Sequence, residues 1–415
     1  MRILAALLFC TTLHAGNWIA LRTPGFELYT DASEKSARAA LDRLANIRRL
    51  LPDNNVEPIP LRIILLDSAR DYRAIAPIDS SSGFYQSGPE RDYIVMTADA
   101  QLPRVVVHEY VHFALNVRGT RRPMWIEEGL AEFYSNAQFT ATTARLGAPI
   151  PEHMDHLARD KWLTPAQIEA GMAEPLFYAH AWALVHMFRH QPLFPEHLSD
   201  EDLGDLRRYL RNLKQEIVPA PPSISAPKVT SEPISALDVL LLRGDLALRT
   251  QHPELARSFF EQAAREFPTS SGAAAGLGAM ELTLGHEPAA RAHLQRAIQL
   301  NDRDPEAWFQ LGLLDHDDAA LARAAELNPA LGEAHLLLGV HATDDNLLPI
   351  AVDHLQQAVR LMPLKSYAWY SLAFAQTRAG QSAAARESLQ RALHTATTPE
   401  QRKMAETLVS SLDTP

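Results

Sequence analysis

The chain has 415 residues, which is too long for one ordinary hydrophobic core and favours two or more domains. Its composition, 47% hydrophobic and 21% charged, is typical of soluble folded proteins and excludes extensive disorder. The formal net charge of -11 argues against nucleic acid as a partner, because phosphate binding requires clustered lysine and arginine side chains.

The N-terminal segment MRILAALLFCTTLHAGNW has one arginine followed by an apolar stretch from Ile3 to about Leu13. This layout predicts a secretory signal peptide over residues 1–15, cleaved after Ala15, with retention as an anchor as the alternative. No later run is long and apolar enough to cross a bilayer, so no integral membrane span is expected after cleavage. Cys10 is the only cysteine and lies in this segment, so a mature periplasmic or extracellular chain would hold any metal through histidine and carboxylate side chains.

Residues 16–215 mix strand-like and helix-like patterns and predict an α+β domain. The predicted strands are Phe26–Thr30, Leu61–Leu66 and a hairpin of Gly83–Tyr85 with Tyr93–Thr97. The predicted helices run from a capping box of Asp31 and Glu34 to about Leu51, over Val105–Leu115, from Pro123 to about Tyr134, and over Leu176–Phe188.

A change in composition marks a predicted domain boundary. Residues 216–233, EIVPAPPSISAPKVTSEP, contain five prolines together with serine and threonine, which favours an extended, semi-rigid linker. Residues 234–415 follow as a separate domain.

The second domain repeats small and apolar residues at intervals of about 34 residues. Gly244, Ala256, Phe260 and Ala263 recur as Gly278, Ala290, Leu294 and Ala297, and the pattern returns twice more. These positions resemble the tetratricopeptide repeat (TPR), which implies an all-α solenoid of paired helices; an unrelated helical bundle is the alternative. The unit that begins at Trp308 should be distorted, because Pro329 arrives about seven residues early, and residues 398–412 should form a capping helix.

The sequence His108-Glu109-Tyr110-Val111-His112 is an HExxH motif within the predicted helix Val105–Leu115. Residues four apart share one helix face, so the imidazoles of His108 and His112 can bind one ion, for which Zn²⁺ is the candidate. Glu109 lies on the adjoining face, where it can reach a water molecule without binding the metal. A pair of structural histidines on a helix face is the alternative. A metzincin is excluded because Leu115 and Arg118 stand where that class has glycine and histidine.

The segment Trp125-Ile126-Glu127-Glu128-Gly129-Leu130-Ala131-Glu132 closely resembles the Trp-x-x-Glu-Gly-x-Ala-Glu helix of aminopeptidase-N-like and related peptidase MA gluzincins. The resemblance implies a gluzincin-like metallopeptidase domain with Glu128 as the third zinc ligand. It also implies that Glu132 orients a ligand imidazole through its second ring nitrogen. Glu127 is expected to be a solvated acid in the first helical turn.

The same resemblance implies a neutral donor for the oxyanion of the reaction, and Tyr178 is the candidate, with His180 as a weaker one. The other histidines, His153, His156, His186 and His190, are expected to be structural or surface residues. Fifteen residues separate the second and third ligands, fewer than in most aminopeptidases, which implies a tighter loop. The strand Tyr93–Thr97 is either the edge to which an extended substrate adds or an ordinary interior strand.

These features predict a secreted, zinc-dependent peptidase in which Glu109 acts as the base toward a protein or peptide substrate. The repeats would recruit substrate or a protein partner on their concave face. Two alternatives remain open: a non-catalytic repeat scaffold that carries an idle metallopeptidase fold, and a zinc hydrolase of non-peptide amides.

Overall fold

The computed structural model describes residues 18–51, 61–76, 82–86, 92–99, 101–117, 122–171, 174–191, 193–195, 197–213, 216–219, 228–396 and 398–412. The predicted signal peptide, residues 1–15, lies outside them, as does Cys10. Within these ranges, no helix has the length and apolar character needed to cross a membrane.

The described residues form nine strands and nineteen helices. The strands are β1 (Ile19–Thr23), β2 (Phe26–Thr30), β3 (Leu61–Leu66), β4 (Gly83–Gln86), β5 (Tyr93–Thr97), β6 (Gln138–Phe139), β7 (Thr143–Leu146), β8 (Glu216–Pro219) and β9 (Thr230–Pro233). The helices of the N-terminal region are α1 (Glu34–Leu50), α2 (Ala69–Arg73), α3 (Leu102–Val117), α4 (Met124–Ser135), α5 (Pro151–Arg159), α6 (Pro165–Ala170), α7 (Pro175–Phe188) and α8 (Asp200–Leu210). Those that follow are α9 (Ala236–Arg249), α10 (Pro253–Glu266), α11 (Ser271–Thr283), α12 (Glu287–Leu300), α13 (Pro305–Asp315), α14 (Asp318–Leu327), α15 (Gly332–Asp344), α16 (Leu348–Leu361), α17 (Ser366–Arg378), α18 (Ser382–Thr395) and α19 (Pro399–Leu412).

A six-stranded mixed sheet, in the order β4-β5-β3-β2-β1-β9, organises the N-terminal region. Strands β2, β3 and β5 are parallel, whereas β4, β1 and β9 each pair antiparallel with their neighbours. A second sheet contains β6, β7 and β8. Strand β5 lies between β4 and β3, so Tyr93–Thr97 is an interior strand, and within the described residues the sheet ends at β4.

Both faces of the large sheet are buried, because successive side chains of its central strands point to opposite faces and are apolar on both. On β3, Ile63 and Leu65 belong to the core formed with α1 and α3. Ile64 and Leu66 point to the opposite face, where they pack with residues of α9 and α10. The sheet is therefore the middle layer between helices α1 and α3 on one face and the first repeat on the other.

The start of α1 differs from the predicted capping box. Ser33 is the N-cap, and its side chain accepts a hydrogen bond from the backbone N–H of Ser36. Asp31 instead accepts from the backbone N–H of Asp67 at 2.8 Å, which ties the end of β2 to the end of β3. The prediction was wrong because this tertiary contact uses the Asp31 carboxylate.

The described residues of 236–412 form a solenoid of helical hairpins, the architecture that the resemblance to the TPR implies. In the described residues of this region, five hairpins pair α9 with α10, α11 with α12, α13 with α14, α15 with α16 and α17 with α18, and α19 packs on the last as the predicted cap. A Cβ atom at Gly244 would lie 2.6 Å from the Phe260 ring, and one at Gly278 would lie 2.6 Å from Leu294. The recurring glycine therefore lets the two helices of a hairpin pack closely.

The third hairpin is shorter than its neighbours, as the early Pro329 predicts. Helices α13 and α14 have 11 and 10 residues, whereas α11 and α12 have 13 and 14. The turn between the short helices is made by His316, whose φ of 52° is left-handed. The missing residues shorten the hairpin without interrupting the solenoid.

Both ends of the predicted linker 216–233 are paired strands. Strand β8 joins β7, and β9 joins β1 at the end of the large sheet. An extended, proline-rich chain suits the edge of a sheet, where a missing backbone N–H costs little, so Pro219 and Pro233 are tolerated as the last residues of their strands. The described residues of the segment therefore connect the repeats to the first domain through strand pairing at both ends.

Candidate metal centre

The candidate site lies between helices α3 and α4, which pack with antiparallel directions. Residues four apart lie one above another on a helix. On α3 one such row contains Arg104, His108 and His112. On α4, which runs in the opposite direction, the facing row contains Glu132 and Glu128. The HExxH motif and the downstream acidic motif thus meet along a single helix interface.

The three predicted ligands lie at mutual distances that suit one ion. The Nε2 atoms of His108 and His112 are 3.1 Å apart, and Glu128 Oε2 is 3.4 Å and 3.5 Å from them. Two ligands of a tetrahedral zinc ion are separated by about 3.3 Å, given bonds of about 2.0–2.1 Å. Among the described side chains, these three are the group that can hold a metal. The residues present therefore fit the ion that the motif predicts.

Electrostatics favours a cation at this position. Burial raises the pKa of the Glu128 carboxyl, but hydrogen bonds from His108 and His112 outweigh it and lower the pKa to about 2. Burial likewise lowers the pKa of His108, but Glu128 and Glu132 raise it well above the usual range. The carboxylates therefore stabilise positive charge at the point where the two imidazoles converge.

Glu132 lies one helical turn beyond Glu128, where the motif predicts it. Its Oε1 is 3.2 Å from Nδ1 of His108, the ring nitrogen that faces away from the ligand cluster. Its Oε2 is 2.7 Å from a guanidinium nitrogen of Arg104 and 3.1 Å from Nε2 of His153. Arg104 and His153 did not emerge from the sequence as site residues, and His153 was expected to be structural. The four-residue spacing from Arg104 to His108 was the available signal.

Glu109 points toward the end of the large sheet. Its side chain is 8% exposed, and burial raises the pKa of its carboxyl even though His108 and His112 act in the opposite direction. The backbone N–H of Tyr85 in β4 also acts to lower the pKa of this carboxyl. Strand β4 approaches closely, because a Cβ atom at Gly83 would lie 2.3 Å from Val105 and 3.3 Å from Cγ of Glu109.

Tyr178 of α7 lies within electrostatic range of the site. Burial raises the pKa of its hydroxyl to about 12, with further contributions from Glu128, Glu132 and Glu109. His180, the weaker candidate, lies on another side of α7, where its Nδ1–H donates to the carbonyl oxygen of Leu176 at 2.8 Å. The structure therefore brings Tyr178, and not His180, toward the predicted ligands.

Two neighbouring residues of the acidic motif have structural roles. A Cβ atom at Gly129 would lie 2.4 Å from the backbone oxygen of Ala181, so glycine is required for α7 to pack against α4. Glu127 accepts a hydrogen bond from the backbone N–H of Arg122 at 3.2 Å, at the start of α4. Glu127 thus stabilises the helix start and points away from the ligands.

Solved structures that resemble the chain include TPR proteins and a pilus biogenesis factor. No protein-family model matches the chain, and no curated protein matches it. The chain is similar to YrrB, a TPR protein with an unusual peptide-binding site, at 18% identity and a TM-score of 0.33, over 40% of this chain and 90% of that one. It is also similar to a thermophilic TPR protein of Thermus thermophilus, at 19% identity and a TM-score of 0.35, over 42% and 100% of the two chains. A third similar structure is that of PilW, a type IV pilus biogenesis factor, at 17% identity and a TM-score of 0.38, over 43% of this chain and 87% of that one.

Proposed function

We propose that this protein is a zinc-dependent peptidase of the gluzincin type, with a TPR module that recruits its substrate or partner. The observation that carries the proposal is the ligand cluster of His108, His112 and Glu128, whose donor atoms lie 3.1–3.5 Å apart beside the buried carboxylate of Glu109. A site that only bound metal would have no chemical use for Glu109. Zinc bound there would supply Lewis-acid chemistry, polarising a substrate carbonyl and making water more acidic.

Two side chains of the site have separate roles in the proposed hydrolysis. Glu109 takes the proton of the attacking water and delivers it to the nitrogen of the leaving amine. Tyr178 remains a neutral hydrogen-bond donor at physiological pH, because its pKa is about 12, and donates to the oxyanion that develops on the scissile carbonyl. Together these two residues supply the base, the acid and the donor that peptide hydrolysis requires.

The outer edge of β4 is the proposed binding site for an extended substrate. The backbone N–H of Thr97 bonds to the carbonyl oxygen of Ser82 at 3.0 Å. The antiparallel ladder alternates, so the backbone N–H and C=O groups of Gly83 and Tyr85 face away from β5, and the Tyr85 N–H acts to lower the pKa of Glu109. A peptide added there as a strand would place its main chain beside the proposed base.

The repeats are the proposed recruiting surface. The first helices of neighbouring hairpins line one face of the solenoid, where α9 packs beside α11, α11 beside α13, and α15 beside α17. On α17 this face presents Tyr367 and Phe374, which are 37% and 38% exposed, and the ring of Tyr370 stacks on that of Phe374. Exposed aromatic residues on such a face suit a peptide or protein partner. The N-terminal signal pattern makes the periplasm or the extracellular space the proposed location.

A non-catalytic repeat scaffold is the second candidate. It is favoured by the helical solenoid of residues 236–412, because stacked helical hairpins of this kind offer an extended surface for a partner. Under this hypothesis the HExxH helix and the acidic helix would bind metal, or only each other, without turnover.

The variant Glu109→Gln separates the two candidates. We expect it to keep its zinc and to lose hydrolysis of casein or of a peptide library by at least about 10²-fold, since the proton acceptor is gone. Glu127→Gln, at a neighbouring position outside the ligand cluster, is the matched control and should retain both properties. If wild-type protein cleaves nothing, and Glu109→Gln binds partners as the wild type does, the scaffold is the better description.

A further inference from the structure

The carboxylate of Glu132 is held by two residues that lie outside the zinc-binding motifs. Oε1 faces His108, while Oε2 is shared by Arg104 at 2.7 Å and His153 at 3.1 Å. The three partners come from two different helices: Arg104 and His108 lie one turn apart on α3, and His153 lies on α5. Both oxygens of Glu132 are therefore occupied, and each has a fixed direction.

Burial makes these partners necessary. Glu132 is 6% exposed, and an ionised carboxylate at that depth is costly unless it is paired and hydrogen-bonded. Arg104 provides the opposite charge. His153 is 7% exposed, and its ring lies 6.1 Å from that of the fully buried Trp182, so its position is fixed by packing. Without these residues, Glu132 could rotate away from His108 or lose the charge that keeps it ionised.

We propose that Arg104 and His153 are positioning residues of the metal centre, which act through Glu132 on His108. They hold Glu132 so that Oε1 accepts the Nδ1–H of His108, which leaves the Nε2 lone pair directed at the cation. Partners of this kind around a ligand histidine typically change metal affinity by about 10–100-fold when they are lost. The inference rests on the zinc site of the proposed function, but its effect is on metal binding and does not depend on turnover.

The test measures zinc dissociation constants by competition with a chelating dye, on the full chain. His153→Leu and Arg104→Met should each bind zinc about 10–100-fold more weakly than the wild type. His153→Gln keeps a donor near the position of Nε2 and should recover most of the affinity. His156→Gln, on the same helix but paired with Asp160 at 2.7 Å, is the matched control and should bind as the wild type does.

Cobalt(II) substitution provides a second readout that a purely structural role would not change. The visible absorption spectrum of the cobalt protein should shift in His153→Leu, because the His108 imidazole is no longer held in one orientation, and should return in His153→Gln. Circular dichroism of the metal-free variants shows whether they are folded. If His153→Leu does not fold, Arg104→Met decides the question, because its side chain is 28% exposed and tolerates replacement more readily.

Wild-type affinity in folded His153→Leu and Arg104→Met, or lower stability of the metal-free variants with unchanged zinc binding, would overturn the inference. Failure of the proposed function is distinguishable. A wild-type protein that binds zinc but cleaves no peptide defeats the peptidase assignment and leaves the affinity measurement valid. A wild-type protein that binds no zinc defeats both.

Discussion

The hydroxyl of Tyr93 donates a hydrogen bond of 2.9 Å to Oδ2 of Asp245 and so joins strand β5 to helix α9 of the first repeat. Beside it, Arg243 of α9 pairs with Asp71 of α2 at 3.0 Å. Strand β5 leads directly into the HExxH helix α3, so the repeats are attached to the element that positions the site. The two regions should therefore unfold together.

The substitution of Phe259 and the unfolding transitions of the wild type test this coupling. It is 2% exposed and belongs to the core between the large sheet and the repeats, so Phe259→Ala should lower the free energy of unfolding by about 3–5 kcal/mol. Phe374→Ala, at a position 38% exposed, should cost far less. Urea unfolding followed by circular dichroism and by tryptophan fluorescence should give coincident transitions in the wild type. Two separate transitions would show that the regions are independent.

The sequence predicts the ligand cluster from two signals: the helical spacing that relates the two histidines, and the resemblance to gluzincins that implies the carboxylate. His108 and His112 are four residues apart on one helix, and the Glu128 motif specifies a second helix of the same kind. Strands such as Leu61–Leu66 were predictable for a similar reason, since a short run of branched apolar residues indicates a buried strand.

Other features depend on contacts between distant segments. His153 reaches Glu132 only because α5 packs against α7, and nothing in the spacing of the two residues indicates it. Asp31 has the sequence pattern of a helix cap, but its carboxylate accepts a hydrogen bond from the backbone N–H of Asp67. The described ends of the proline-rich segment 216–233 pair as strands at the edges of two sheets. Each of these contacts depends on tertiary packing, and for Asp31 and the proline-rich segment that packing overrides a local signal.

Tyr178 supplies a test of the proposed oxyanion donor. Tyr178→Phe should lower kcat by about 10²–10³-fold, while zinc content and KM change little, because the hydroxyl acts only as charge develops. Since its pKa is about 12, the hydroxyl remains a donor up to about pH 10, and the proposed peptidase activity of the wild type should show no loss from its ionisation below that pH. An unchanged kcat in Tyr178→Phe would exclude this role.

The buried, uncharged state of His186 leads us to expect that the protein loses stability in acid. It is fully buried, with Nδ1 2.6 Å from the Tyr209 hydroxyl and Nε2 3.1 Å from the carbonyl oxygen of Gly147. Burial, together with the charge of Arg189, lowers its pKa to about 4, whereas a histidine in an unfolded chain titrates near about 6.5.

The unfolded chain therefore binds a proton that the folded chain does not. The free energy of unfolding should decrease as the pH falls from about 6.5 to about 4. Urea unfolding at about pH 7 and about pH 5 measures this slope, and His186→Asn should show a smaller one. Equal slopes in the two proteins would contradict the assignment.

The central claim is that the side chains of residues 108, 112 and 128 bind one zinc ion together, and metal stoichiometry tests it most directly. Purified wild-type protein, after exposure to zinc and removal of the excess, should contain about one zinc ion per chain, as expected for a single three-ligand site. His112→Ala and Glu128→Ala should retain almost none at the same free zinc concentration, although both remain folded by circular dichroism. Equal zinc content in the wild type and in either variant would contradict the ligand set and, with it, the proposed hydrolase.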